Sequence, residues 1–297
     1  MKEYRTKIHK DFRKLNYISA PFNKLLFPIS NFVINLLPKC INKKKMKIDK
    51  FYVNSKDKTH NIKVYCIYPK DLKESKKALI YFHGGGFVYK AAFMQYKLCE
   101  IYSQELNMKV FIVDYRLAPK HLYPIPIEDC IDAYRYIVNN KNILEIGDEI
   151  MVGGDSAGGN LAIEVVHQIC KNYNDHIKPK KMMLIYPVID RDLKTNSKLL
   201  FDKTPVWNSK KNKKMWEYYT KGKNYISKIN EDVDNLPKIY VETCEFDPLR
   251  DEGLEYGNKN NAIINYTKGT VHGYDICLKS EITKQNIMKR INFLKDN

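Results

Sequence analysis

Residues 152–161 read Val-Gly-Gly-Asp-Ser-Ala-Gly-Gly-Asn-Leu and place Ser156 at the centre of a Gly-x-Ser-x-Gly sequence. That spacing is expected of a nucleophilic serine on a sharp turn between a strand and a helix. Gly154 and Gly158 serve the turn, because strand and helix approach it within contact distance and leave no room for side chains. A serine hydroxyl is a weak nucleophile at neutral pH, so attack on a carbonyl also needs a base, a group that orients the base, and donors for the oxyanion. Upstream, an apolar run at 78–82 leads straight into His83-Gly-Gly-Gly86. A triple glycine leaves backbone N–H groups bare, and those of Gly84, Gly85 and Gly86, with that of Ala157 after the serine, are candidate oxyanion donors. Of the seven histidines, only His272 lies late in the chain beside a glycine, beyond a strand-like run at 262–267; it is the candidate base. Another strand-like run, 238–243, leads to Asp247, the candidate orienter, with Asp251 and Glu245 as rivals. Ser156 in an isolated Gly-x-Ser-x-Gly reads better as a helix N-cap, and the companion motifs reverse that reading in favour of a nucleophile. His83 reads as a loop-holding residue, Asp155 as a tie to neighbouring loops, and Arg116 and Asp129 as architectural hydrogen-bonding residues.

These side chains need a scaffold that brings them to one place. Strand-like runs fall at 48–54, 62–68, 78–82, 110–114, 149–152, 182–187, 238–243 and 262–267. The first two, joined by a short polar segment, predict an antiparallel hairpin. The others alternate with helical stretches at 95–105, 125–139, 161–172 and 280–294, which predicts parallel crossovers. All candidate groups follow strand ends, and sites in open α/β sheets gather at the carboxyl edge. Segment 190–234 interrupts the alternation, and Met215, Trp216, Tyr218 and Tyr219 at helical spacing read as packing residues of inserted helices.

Taken together, His83-Gly-Gly-Gly86, Tyr115-Arg-Leu-Ala-Pro119, Gly154-Asp-Ser-Ala-Gly-Gly159, Asp247-Pro-Leu-Arg-Asp251 and His272-Gly273 resemble the hormone-sensitive-lipase-like branch of the α/β-hydrolases. The order Ser, Asp, His is the one that fold carries. The resemblance spans residues 77 to the C-terminus. It implies an α/β-hydrolase fold with a mostly parallel eight-stranded sheet, and a single domain over 1–297 with a helical cap from 1–45 and 190–234. It further implies a carboxylesterase acting on short- to medium-chain esters through Ser156, Asp247 and His272, with no cofactor. It assigns the oxyanion hole to Gly84, Gly85 and Gly86 with Ala157, and leaves open which of the glycine amides face the oxygen. A homodimer is compatible with the family's habits.

At 297 residues and 44% hydrophobic content, the composition is that of an ordinary globular core. The net charge of +17 is unusual. Its lysines are scattered and not gathered on one motif, so no nucleic-acid partner is expected. Seven cysteines without Cys-x-x-Cys spacing read as reduced thiols of a cytoplasmic protein, and no metal cluster suggests itself. The longest uninterrupted apolar stretch in the N-terminal segment, 29–37, is far short of the roughly 20 residues of a membrane span, and no secretory signal is apparent. Segment 20–37 reads as a cap helix in preference to an amphipathic segment lying on a membrane. The rival functions are an amidase, deacetylase or peptidase using the same residues, a non-catalytic ligand receptor, and a binder of anionic polymers or membranes.

Overall fold

A computed structural model describes residues 4–17, 22–37, 39, 41–172 and 176–296. The helices are α1 (Tyr4–Lys7), α2 (Phe27–Leu36), α3 (Phe93–Leu106), α4 (Ile125–Asn139), α5 (Ala157–Lys171), α6 (Asn196–Leu200), α7 (Ser209–Thr220), α8 (Arg250–Lys259) and α9 (Glu281–Lys295). Short 3-10 turns cover Lys10–Tyr17 and Tyr274–Ile276. The strands are β1 (Met46–Asn54), β2 (Asn61–Pro69), β3 (Ser75–Phe82), β4 (Lys109–Asp114), β5 (Ile146–Asp155), β6 (Lys181–Ile185), β7 (Lys238–Phe246) and β8 (Ile263–Val271).

The strands form one eight-stranded sheet in the order β1-β2-β4-β3-β5-β6-β7-β8. β2 runs antiparallel to both β1 and β4, and every later pairing is parallel. The expected α/β-hydrolase architecture is therefore present, with the β3–β4 exchange as the one feature of strand order that alternation alone did not disclose. The central strands β4 and β6 are buried along almost their whole length, which is why they read as unbroken apolar runs. Two cores flank the sheet. Ile80, Phe111, Val152, Leu161 and Val165 belong to one, and Leu79, Tyr81, Ile112, Met183 and Leu294 to the other.

Several strands run further than the apolar pattern suggested, and the extensions of β5 and β8 lead to site residues. β5 continues to Asp155 because β3 and β6 pair with it through Gly154 and Asp155. β8 continues to Val271 through a bulge: the register passes from Cys244 opposite Thr267 to Phe246 opposite Val271. Gly269, at φ +72°, makes the bulge possible, and its N–H donates to Glu245 Oε2 at 2.6 Å. The next residues after Phe246 and Val271, Asp247 and His272, thus leave neighbouring strands side by side.

Candidate active site

Ser156 is the hinge between β5 and α5, with φ +55° and ψ −118°. A non-glycine residue in that region is strained, and such strain persists only where the surroundings over-determine it. Here the Ser156 N–H donates to Ile185 O at 2.9 Å and its carbonyl accepts from Val188 N at 3.0 Å. The turn is so tight that a Cβ on Gly158 would stand 1.9 Å from Phe82 O, and one on Gly154 would stand 2.3 Å from Gly158 O. α5 therefore begins directly at Ala157, a few residues before its apolar periodicity becomes visible.

From β8, His272 places Nε2 2.9 Å from Ser156 Oγ. Its Nδ1 lies 2.6 Å from Asp247 Oδ2, and Asp247 Oδ1 accepts the Leu249 N–H at 3.0 Å. Both carboxylate oxygens are thus engaged, and Asp247 is fully buried. The rivals are occupied elsewhere. Asp251 binds Arg250 Nε and the Ser197 N–H, each at 2.7 Å, and Glu245 holds the β8 bulge. Tyr186 packs its ring 4.6 Å from that of His272. Beneath it a buried network joins Tyr186 Oη to Asp275 Oδ1 at 2.7 Å, and Arg290 to Asp275 Oδ2 at 3.0 Å and to Glu242 Oε1 at 2.5 Å.

The structure narrows the choice within the glycine loop. The Gly84 N–H is not free, because it donates to Asp155 Oδ1 at 2.9 Å. A Cβ on Gly84 would meet Asp155 Oδ2 at 2.2 Å, so the residue is glycine to admit this carboxylate. The same carboxylate accepts from Tyr81 Oη at 2.9 Å and from Gln95 Nε2 at 3.2 Å. Burial, and next the charge of Asp275, push Asp155 above the usual carboxylate range, while these three donors act against the rise. The N–H groups of Gly85 and Gly86 have no partner among the described residues, and that of Ala157 opens a helix, where no intrahelical acceptor exists. His83 stacks on Tyr115 with ring centroids 4.4 Å apart, and its Nδ1 lies 2.8 Å from Gly84 O. Burial lowers its pKa, which favours a neutral ring. Arg116 grips buried Asp129 through Nε and Nη2.

A cavity of about 230 Å³ opens on Ser156 and His272, walled by Phe22, Tyr89, Tyr186 and Trp207, with Gly85 and Gly86 on its floor. Sequence reasoning did not single out these wall residues. Trp207 lies in irregular chain after Val206, at φ +61°, where no periodicity marks it. The four residues expected to pack in 190–234 do so: Tyr219 stacks on Phe87 at 3.8 Å, Trp216 meets Tyr225 at 4.6 Å, Tyr218 meets Phe27 at 5.5 Å, and Met215 is buried. The six described cysteines are unpaired, Cys40 lying outside the described residues. No described helix is long and apolar enough to cross a membrane.

A strained serine between a parallel strand and a helix, met by a histidine and a carboxylate from the ends of later strands, defines the α/β-hydrolase class. The family profile described as the alpha/beta hydrolase fold matches residues 79–275, and the chain belongs to this family, in its hormone-sensitive-lipase-like branch. It is similar to the arylacetamide deacetylase of Bos taurus, with 27% identity covering 82% of this chain and 79% of that one. It is also similar to the carboxylesterase NlhH of Mycobacterium tuberculosis, with 28% identity covering 72% and 71%. In fold, the esterase LipW of Mycobacterium marinum superposes with a TM-score of 0.88 over 100% of this chain and 98% of that one, at 21% identity. The chain is a hydrolase.

Proposed function

We propose that this hydrolase is a serine carboxylesterase for short- to medium-chain esters, with Ser156 as nucleophile, His272 as base and Asp247 as the group that orients it. The observation that carries the reading is the unbroken chain from Ser156 Oγ through His272 Nε2 and Nδ1 to Asp247 Oδ2, at 2.9 and 2.6 Å. In this reading His272 takes the Ser156 proton as Oγ attacks the ester carbonyl, and Asp247 stabilises the imidazolium so formed without taking its proton. The N–H groups of Gly85, Gly86 and Ala157 serve the oxyanion. His272 then protonates the departing alcohol, leaving an acyl group on Ser156, and water, deprotonated by the same histidine, releases the acid.

The size of the cavity supports small acyl groups: about 230 Å³ is below the roughly 300–1,000 Å³ of drug-sized sites. In the same reading, segments 1–45 and 190–234 form the cap that walls the acyl pocket, supported by Phe22 and Trp207, whose ring centroids lie 5.3 Å apart. The test is hydrolysis of p-nitrophenyl esters from acetate to laurate by the wild type and by Ser156→Ala. Turnover with a short-chain optimum, reduced by about 10⁶ in Ser156→Ala, is expected. A folded wild type inert on every ester defeats the proposal, and p-nitroacetanilide in the same series distinguishes an amidase.

A further inference from the structure

α2 packs with its apolar stripe outward. In a ten-residue helix without a single charge, only Phe27 is fully buried. The helix is held through the Phe27 face. Phe27 meets the rings of Phe22, Tyr89 and Tyr218 at 5.3–5.5 Å. Asn31, on the same side, donates through Nδ2 to Val88 O at 2.8 Å and accepts the Lys90 N–H at Oδ1 at 2.9 Å. Ile29, Phe32, Val33 and Leu36 follow the i, i+3, i+4, i+7 spacing that a helix ordinarily turns to its core. They are instead 62%, 64%, 48% and 69% exposed, and Leu25 and Leu37 extend the stripe at both ends. A contiguous apolar surface of this kind marks an interaction site.

Its occupant is indicated by charge. A groove of about 720 Å³ runs along α2, bounded by Phe27, Pro28 and Asn31 on the helix and by Lys24, Lys63, Lys90 and Lys120; Asp114, the one acidic group among its described lining residues, pairs with Lys90 at 3.3 Å and Lys63 at 4.0 Å, which leaves the groove a cationic excess carried by Lys24 and Lys120. Arg116 also reaches this groove, but its charge is spent on Asp129 and Asp57. Two copies meeting through this face would bring their lysines together, each on a chain of net charge +17. An anionic surface that accepts apolar side chains meets both requirements. We propose that α2 docks the protein reversibly on an anionic phospholipid bilayer, with the stripe at the acyl boundary and the groove lysines among the phosphates. Asn31 ties the docked helix to residues 88–90, just beyond the glycine loop, and Phe22, a few residues ahead of α2, walls the Ser156 cavity. Membrane-dissolved esters would then reach the cavity from the docked side.

Flotation with phosphatidylcholine vesicles, with and without phosphatidylserine, tests the proposal. The wild type floats with the mixed vesicles, far less with phosphatidylcholine alone, and is released as salt is raised. Ile29→Ser/Phe32→Ser/Leu36→Ser loses about tenfold or more of the partition coefficient while keeping the wild-type melting temperature and turnover of a water-soluble ester. Lys24→Gln/Lys120→Gln weakens binding to the mixed vesicles only. Ser156→Ala binds as the wild type does, which separates docking from the catalytic reading. Flotation that ignores the triple substitution, or a wild type that stays with the solvent, overturns the proposal. So does a dimer in sedimentation that the triple substitution dissolves, since that would assign the stripe to a second copy.

Discussion

At the carboxyl edge of the sheet, Ser156, Asp247, His272 and Gly84 are each fixed by directional hydrogen bonds. Ser156 N–H is held by Ile185 O, Asp247 by Leu249 N–H and His272, and Gly84 N–H by Asp155. The layer above it is held by rings: Phe22 meets Trp207 at 5.3 Å, Phe27 at 5.4 Å and Tyr218 at 5.9 Å. A hydrogen bond weakens steeply once its angle fails. Aromatic contacts are serviceable over about 4.5–7 Å of centroid separation. The edge therefore tolerates almost no change in residue type, whereas the cover can be recut while the edge keeps its geometry.

The sharpest way to break this contrast is at Asp247. In the proposed mechanism, Asp247→Asn preserves shape but no longer stabilises an imidazolium or fixes the tautomer of His272. Ester turnover is expected to fall by about 10⁴ with folding intact. Turnover within tenfold of wild type would show that the 2.6 Å contact is architectural, as the contact of Arg116 with Asp129 is. Gly84→Ala follows in size. The new methyl cannot coexist with Asp155 Oδ2 at 2.2 Å, nor comfortably with Asp155 O at 2.9 Å, so the Gly84 lock opens and the Gly85 and Gly86 amides move with it. A fall of about a hundredfold in kcat with little change in KM is expected. An unchanged kcat would mean that the loop is held by Tyr115 and His83 instead, where Tyr115 Oη donates to His83 O at 2.7 Å.

The same contrast explains what was legible in the sequence. Ser156 stands on a turn whose neighbours Gly154 and Gly158 admit no side chain, and Asp247 and His272 directly follow strands, so glycine spacing and strand ends pointed to residues the structure brings within hydrogen-bond reach. The fold was legible for a related reason, since buried parallel strands such as β4 and β6 leave unbroken apolar runs. Which glycine amides are bare was left open, because a free amide and one pledged to a carboxylate, as that of Gly84 is, look alike in sequence. The bond depends on Asp155, 71 residues away. The bulge in β8 was hidden because polar Lys268 and Gly269 end an apolar pattern even where pairing resumes at Val271. For the cover, periodicity recovered the packing face of α7 but was silent on Trp207, which lies outside any helix. It also could not tell which face of α2 turns inward. That choice rests on Asn31 and Phe27, against the direction the apolar stripe suggests.

Trp207 is where the cover can be recut with the smallest effect on chemistry. Its ring packs over the glycine loop, 3.1 Å from where a Cβ of Gly86 would stand, and its centroid lies 5.9 Å from that of His272. Trp207→Ala removes a wall of the cavity without touching a hydrogen bond of the edge. Each methylene a pocket accepts or refuses is worth about 1–3 kcal/mol in kcat/KM. If the space left by the indole admits about one further methylene, the ratio of octanoate to acetate hydrolysis rises by about tenfold, with acetate turnover nearly unchanged. A uniform loss across the ester series would give the opposite lesson: the indole would be acting through the His272 ring, and edge and cover would form one unit, held as tightly above Ser156 as below it.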